Sequence, residues 1–457
     1  MIKSLRQKLS FDKTVSIAPL ITFRIVFGLL MFLSIIRFWW NGWISTIYVQ
    51  PKFHFTYLGF EWVKAFGNTG MHLVFLCIGI SALMIVFGLF YRIATILFFL
   101  SFTYVELIDV TTYLNHYYFI SLVAFLLIFL PANKDYALDM RLHPEERRLT
   151  IPAWCVGILR FQMAVVYIFA GIAKLNADWL FEALPMRIWL PGKTHLPIVG
   201  SLMYENWVAY LFSWFGAIYD LFIAFFLLNK KTRPLAFCFV LIFHIATAIF
   251  FPAIGMFPYV MIANSLIFFS AGFHQKLQSH LPFYNSRLKS LVPSSSTYRY
   301  HFNPLMKIAL YCYIAFQLLF PFRYLLYPGH LFWHEEGFRF SWRVMLMEKS
   351  GAAFFTVKDK NTHQNIEVNN PEFLTPLQEK MMSTQPDLIL KYAHHLANEY
   401  KKRGLEQPEV YAEVYVSLNG QRSRLFIDST VNLTAEKSCC EHYTWVLPYK
   451  KTTTTKL

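Results

Sequence analysis

Residues 16–40 read SIAPLITFRIVFGLLMFLSIIRFWW, an apolar run whose only charges are Arg24 and Arg37. As a helix rising 1.5 Å per residue, it is long enough to cross the roughly 30 Å hydrocarbon core of a bilayer. A basic start carrying Lys3, Arg6, Lys8 and Lys13 precedes it. A cleaved secretory leader has a shorter apolar core and a small-residue cleavage site, so the run reads as a retained membrane span. Outward from it, apolar runs of about 20 residues recur at 72–91, 93–110, 115–131, 156–174, 207–228, 234–251, 254–273 and 305–327. Nine spans result. Only Arg92 separates the second from the third, and only Pro252 and Ala253 the seventh from the eighth, which predicts two tight hairpins.

Composition agrees. Of 457 residues, 56% are apolar and 15% charged, against about 25% charged in a soluble domain. That excludes a disordered chain, a disulfide-rich mini-protein and an ordinary cytosolic enzyme. The net charge of +15 would suggest nucleic acid in a soluble chain. Here the basic residues cluster in short loops between apolar runs, so they report topology and no nucleic-acid partner is expected. With the N-terminus inside, inner segments hold sixteen Lys and Arg, while outer loops hold only Lys52, Lys64, Arg187 and Lys193. The expected organisation is a cytoplasmic N-terminus (1–15), a transmembrane helical bundle (16–327) and an extracytoplasmic β-rich domain (328–457). The fold class is thus a polytopic α-helical membrane protein with a C-terminal extramembrane β-rich domain. The membrane is a bacterial inner membrane, or the endoplasmic reticulum in a eukaryote.

The tail differs in kind. Polar and apolar residues alternate over 352–358, 409–419 and 422–430, and Asn419-Gly420 joins the last two as a hairpin signal. Between the strand groups, 371–404 reads as helix, with Pro371 near its start and Gly404 at its stop. The only low-complexity stretches are 294–297 and 452–455. Cys77, Cys155, Cys238 and Cys312 lie in or beside spans and read as apolar side chains, whereas Cys439-Cys440 falls outside. There is no CxxC and no zinc spacing, so no metal is expected.

Ionisable groups inside spans are costly and mark function or internal pairing. The runs contain Arg24, Glu106, Asp109, His116, Arg160, Lys174, Asp220 and His244. Arg24, Arg160 and Asp220 could neutralise one another. Lys174 ends the fifth run after the small residues Ala170, Gly171 and Ala173, which let neighbouring backbones approach. It either snorkels and pairs with Asp178 one turn on, or serves as a desolvated base. By the loop charges, Lys174, His116 and His244 fall towards the outer face, on the side of the tail. The candidate site therefore faces outward and is reached from lipid.

The segment Ile158-Leu159-Arg160-Phe161-Gln162, followed by Ala170-Gly171 and Lys174-Leu175-Asn176-Ala177-Asp178-Trp179, resembles the core of the vitamin K-dependent γ-glutamyl carboxylase family. So do Phe23-Arg24 with Phe27-Gly28, Gly88-Leu89 with Tyr91-Arg92-Ile93, and Asp109 with Asn115-His116. Ile254-Gly255-Met256-Phe257 with Tyr259-Val260-Met261 extends the resemblance, which continues more weakly at Phe340-Ser341-Trp342. It implies a membrane enzyme that oxidises reduced vitamin K (phylloquinol or menaquinol) with O2 to the epoxide. Coupled to this, CO2 is added to protein-bound Glu, giving γ-carboxyglutamate. A γ-CH is far too weak an acid for any side-chain base near neutral pH, so the base must be generated in place and kept from water.

Carried over residue by residue, Lys174 matches the family's quinol-activating base. His116 matches its anion-stabilising histidine, and His244 a further histidine of the membrane core. Vertebrate members have two adjacent lysines at the base motif; here Ala173 takes the first place, and Arg343, Met347, Glu348 and Lys349 also differ from the vertebrate residues. Implied partners are a Glu-containing peptide or protein, membrane lipid and quinone. The alternatives are a quinol-oxidising relative without carboxylation and a non-catalytic lipid-binding or transport protein. A transporter would show two related halves with paired broken helices, and no such halves are present in the sequence.

Overall fold

The computed structural model describes residues 13–280, 304–359, 361, 364–437 and 441–451. Lys3, Arg6, Lys8, Arg287, Lys289, Arg299, Cys439, Cys440 and the stretches 294–297 and 452–455 lie outside the described residues. Each of the nine apolar runs contains helix. In chain order these are α1 (Ala18–Trp40), α2 (Asn68–Phe87), α3 (Tyr91–Ile108), α4 (Asn115–Phe129), α5 (Ala153–Ala173), α6 (Asn206–Leu228), α7 (Arg233–Phe250), α8 (Phe257–Ser265), α9 (Ala271–Ser279) and α10 (Pro304–Leu326). Among the described residues, seven are long and apolar enough to cross a membrane, all except α4, α8 and α9.

Two expected spans are not regular full-length helices. α4 has 15 residues, roughly 22 Å of helix, less than the hydrocarbon core. The run 254–273 is not one straight helix: the chain bends by 114° between α8, with its short 3₁₀ extension, and α9. Ser270 caps α9 by accepting from the Phe273 N–H at 3.4 Å. Arg160 satisfies carbonyls around the break, with Nε 2.9 Å from the Ile267 oxygen and Nη2 3.3 Å from that of Phe269. A broken helix at membrane depth needs such internal partners. α9 is held back against α1 by Gln278, whose Nε2 donates to the Ala18 carbonyl (2.7 Å) and the Thr22 hydroxyl (3.0 Å).

Arg24 does not meet Asp220 or Arg160 either. It is fully buried and donates to the Tyr136 carbonyl at 2.5 Å. Gly88 makes room for it: a Cβ there would sit 2.1 Å from Arg24 Nη1, and its φ of +61° is the left-handed value that closes the α2–α3 hairpin. The expected second hairpin is also short, a 3₁₀ turn at Pro252–Ile254 followed by Gly255.

Near the N-terminus of the described chain, β1 (Thr14–Ser16) pairs antiparallel with β2 (Thr150–Pro152). The C-terminal part holds an antiparallel sheet of β3 (Lys349–Asp359), β4 (Asn365–Glu367), β5 (Pro408–Leu418) and β6 (Arg424–Leu425), in the order β4-β3-β5-β6. Alternate β5 residues Val410, Ala412, Val414, Val416 and Leu418 are buried, the period of a one-sided sheet. Asn419 (φ +50°) and Gly420 (φ +73°) both take the left-handed conformation at the hairpin tip. The strand expected over 422–430 is shorter, confined to β6 and an isolated bridge from Ile427 to Val446.

The single helix expected over 371–404 is two: α11 (Pro376–Met382) and α12 (Pro386–Lys402). Each begins with proline, which fits the first turn and ends the element before it. Leu388, Tyr392, Ala393 and Leu396 of α12 are buried in one cluster with the inward face of the sheet.

The sheet-bearing part is bonded to the bundle at Asp109, just past α3. Its carboxylate accepts from His54 Nδ1 (3.1 Å), the Thr111 hydroxyl (2.7 Å) and Gln378 Nε2 of α11 (2.8 Å). Asp109 is therefore a joint between the two parts.

Candidate functional site

α5 and α6 approach tightly at Gly171. A Cβ there would lie 2.6 Å from the Leu221 amide nitrogen and 2.9 Å from its Cα, so no larger residue fits without separating the helices. Lys174 ends α5 one turn later, and Asp220 precedes Leu221. Lys174 Nζ donates to Asp220 Oδ2 at 2.6 Å and to the Ala170 carbonyl at 3.2 Å. Both side chains are 7% exposed. The Trp179 ring lies 5.3 Å from Nζ, fixed by its own Nε1 bond to the Ser213 carbonyl (2.7 Å).

Pairing with Asp178 is thereby corrected. Asp178 instead accepts from Asn419 Nδ2 at the hairpin tip (2.8 Å) and pairs with Lys451 (3.0 Å). Gly171→Ala is expected to lower stability by roughly 1–3 kcal/mol, the usual cost of overpacking. Denaturant unfolding in detergent reads this, and an unchanged midpoint would show that the helix contact tolerates a methyl group.

The Lys174–Asp220 pair lines a cavity of about 330 Å³ whose other walls include Tyr167, Trp179, Phe212, Phe215, Phe243 and Phe257. Leu211 of α6 and Ile242 of α7 also line it, yet they are 55% and 58% exposed on the bundle surface. The cavity is thus walled on one side by apolar residues exposed on the outside of the bundle.

His244 is fully buried behind this cavity. Its Nε2 lies 3.1 Å from the Tyr167 hydroxyl, which in turn is 3.3 Å from Ser265 Oγ. His116, also buried, lines a second cavity of about 750 Å³ between the bundle and the C-terminal part. The two cavities share Phe251, Ile254, Phe257, Val344 and Met345. The Phe257 ring stands between the histidines, 5.6 Å from His244 and 6.1 Å from His116. Of the three residues singled out in the sequence, Lys174 lines the first cavity, His244 reaches it through Tyr167, and His116 belongs to its neighbour.

The sequence reading missed Asp220 as Lys174's partner, and it missed the 340–345 segment. In that segment Phe340, Trp342 and Met345 all have positive φ (58°, 59° and 52°), a conformation that costs non-glycine residues about 1–2 kcal/mol each. Tyr113 accepts from the Phe340 N–H at 2.7 Å, Asn115 Nδ2 donates to the Arg343 carbonyl at 2.7 Å, and Trp342 stacks on Tyr118. The strained segment is thereby fastened to the start of α4, beside His116. Nearby, Arg339 donates to Asp387 at 2.6 Å and to the Gln385 side chain. Burial works against the Arg339 charge, but Asp387 more than offsets it and holds the guanidinium above its ordinary pKa.

Residues 12–273 match the HTTM domain family, and residues 302–452 match the vitamin K-dependent gamma-carboxylase lumenal domain. The two together define a multi-pass membrane protein with an HTTM bundle followed by a carboxylase-type lumenal domain. The chain belongs to the vitamin K-dependent γ-glutamyl carboxylase family. No solved structure matches it.

Proposed function

We propose that this chain is a vitamin K-dependent γ-glutamyl carboxylase. It oxidises a reduced naphthoquinone with O2 to the epoxide and couples this to the addition of CO2 at the γ-carbon of protein-bound Glu. The observation that carries the reading is the aromatic cavity with one buried ion pair and a lipid-facing wall. A flat aromatic diol with a long apolar tail suits such a space: rings stack on its walls, Lys174 meets a hydroxyl, and the tail extends towards lipid past Leu211 and Ile242. When bound, the reduced quinone supplies on oxidation a base stronger than any side chain.

The protein's own part is proton handling and exclusion of water. Lys174 Nζ accepts the quinol proton as it passes its own shared proton to Asp220, and the Asp220 and Ala170 oxygens hold the resulting ammonium. Tyr167, braced by His244 and Ser265, fixes one wall. The apolar lining keeps bulk water from the strong base. His116 stabilises negative charge from the second cavity. The bundle carries the quinone chemistry and the C-terminal part presents the peptide on the outer face.

Purified protein in nanodiscs, given reduced vitamin K, O2, labelled CO2 and a Glu-rich peptide, is expected to yield both epoxide and fixed label. Epoxide is expected even with peptides that are poorly carboxylated. Fixed label without epoxide would sink the coupling. For the orientation, a reporter fused after Lys231 should lie in the cytoplasm and one after Leu457 outside; the reverse pair would overturn the outward-facing site.

A further inference from the structure

Two residues that line the second cavity, Arg343 and His116, each carry a buried nitrogen without a hydrogen-bond partner, Arg343 Nε and His116 Nε2. Both side chains are more than nine-tenths buried, at 8% and 3% exposure. A buried guanidinium ordinarily has a carboxylate or a set of carbonyls around it, because desolvating its charge is costly. Among the described residues no carboxylate pairs with Arg343; its guanidinium carbon lies over the Tyr324 ring, 4.2 Å from the centroid. The other charges lining this cavity differ. Arg339 is neutralised by Asp387, and Glu335 by Lys349 at 2.8 Å. Arg343 is therefore the buried lining cation left without an anion among the described residues, and only Lys193, which is partly exposed, adds to its charge.

The position of Arg343 is also fixed. It sits in the strained 340–345 segment, its carbonyl held by Asn115, the residue before His116. The next two residues, Val344 and Met345, line both cavities. A side-chain carboxylate bound at Arg343 would thus lie beside the wall that separates it from the Lys174 cavity.

We infer that Arg343 is the specificity-determining anchor for the substrate's Glu side chain. Its guanidinium receives the γ-carboxylate in the second cavity, with His116 as a further donor, and so presents the γ-carbon towards the quinone cavity. The inference rests on the carboxylase reading and adds the group that tells Glu from Gln. Guanidinium matches carboxylate through two parallel N–H bonds, a fit that neither an amide nor a lysine reproduces. The larger cavity, at about 750 Å³ with a mixed lining, has room for a peptide side chain and adjoining backbone.

The test compares Glu-containing and Gln-containing forms of one fluorescent peptide, binding to detergent-solubilised full-length protein without quinone. Wild type is expected to prefer the Glu form. In Arg343→Gln the preference should vanish and Glu-peptide affinity fall by about 10- to 100-fold, the worth of a hydrogen-bonded charge. Arg343→Lys, which keeps the charge but not the fork, should fall between the two; it decides the matter if the Gln variant does not fold. In turnover, Arg343→Lys should raise KM for the Glu peptide far more than it lowers kcat. Equal binding of Glu and Gln peptides by wild type, or an unchanged Glu preference in Arg343→Gln, would overturn the inference. Wild type that forms neither epoxide nor fixed label would reject the carboxylase reading instead, while the binding comparison would still judge Arg343.

Discussion

Lys174→Ala, made together with Asp220→Asn, is expected to abolish both epoxide formation and CO2 fixation in protein that still inserts and folds. The second change matters. Asp220 is buried against Lys174, and removing one member of a buried pair costs about 3–5 kcal/mol because the other charge is stranded. Lys174→Ala alone would therefore confound a chemical loss with a structural one. With the pair removed together no charge is stranded, and the loss beyond that of Asp220→Asn alone reads the amine; a positioned acid–base group contributes about 10²- to 10⁴-fold. The single variant serves another purpose. Truncation leaves space beside Trp179 and Gly216 and a bare carboxylate, so a small amine added from solution should bind there and partly restore epoxidation. A presupplied quinol anion should do the same, since only the proton acceptor is missing. Near-normal epoxidation by the well-folded double variant would remove Lys174 from the mechanism.

Much of the bundle was legible because the bilayer makes a coarse demand: long apolar runs must be helix. That demand says nothing about breaks inside a run. Hydropathy continues through Phe269-Ser270 to Phe273, so the 114° bend before α9 was invisible. Its signal lay elsewhere, in Arg160, a cation whose partners turned out to be the carbonyls around the break. In the tail, Asn419-Gly420 gave the hairpin through local chemistry alone. Pro376 and Pro386 carried a comparable signal for two helix starts, and reading 371–404 as a single helix overlooked it.

Lys174 was legible as a residue but not in its pairing. Asp178, one turn on, was the obvious neighbour. Asp220 stands fourteen residues into α6, counted from Asn206, or roughly 21 Å along its axis. By sequence depth it belongs well inside the bilayer, while Lys174 belongs at the end of α5. The two meet because the first turns of α6 run beyond the end of α5, beside the short helix Ala177–Phe181, where the Trp214 Nε1 donates to the Leu180 carbonyl at 3.1 Å. Relative helix offset is a tertiary quantity that no single run encodes. Arg343 was hidden for another reason: its meaning lies in the carboxylates around it being taken by other cations.

Asp220 is the sharper test of why the pair is there at all. Asp220→Ala should destabilise the protein by roughly 3–5 kcal/mol, since Lys174 would be left buried and uncompensated. Asp220→Asn keeps the shape and a hydrogen-bond acceptor, and should preserve more of the fold. Epoxidation by Asp220→Asn should nevertheless fall by about 10²-fold, comparable to removing one preorganised group that stabilises developing charge. The ammonium formed on Lys174 would then have only the Ala170 carbonyl and a neutral amide to hold it. Replacing both residues by apolar ones, Lys174→Met with Asp220→Leu, should give protein at least as stable as wild type, because well-packed apolar pairs often equal or exceed buried ion pairs. That variant should also be inactive. Stability restored and chemistry lost would assign the pair to the reaction. If Asp220→Asn instead epoxidises like wild type, the carboxylate only balances Lys174 during folding and takes no part in holding the proton.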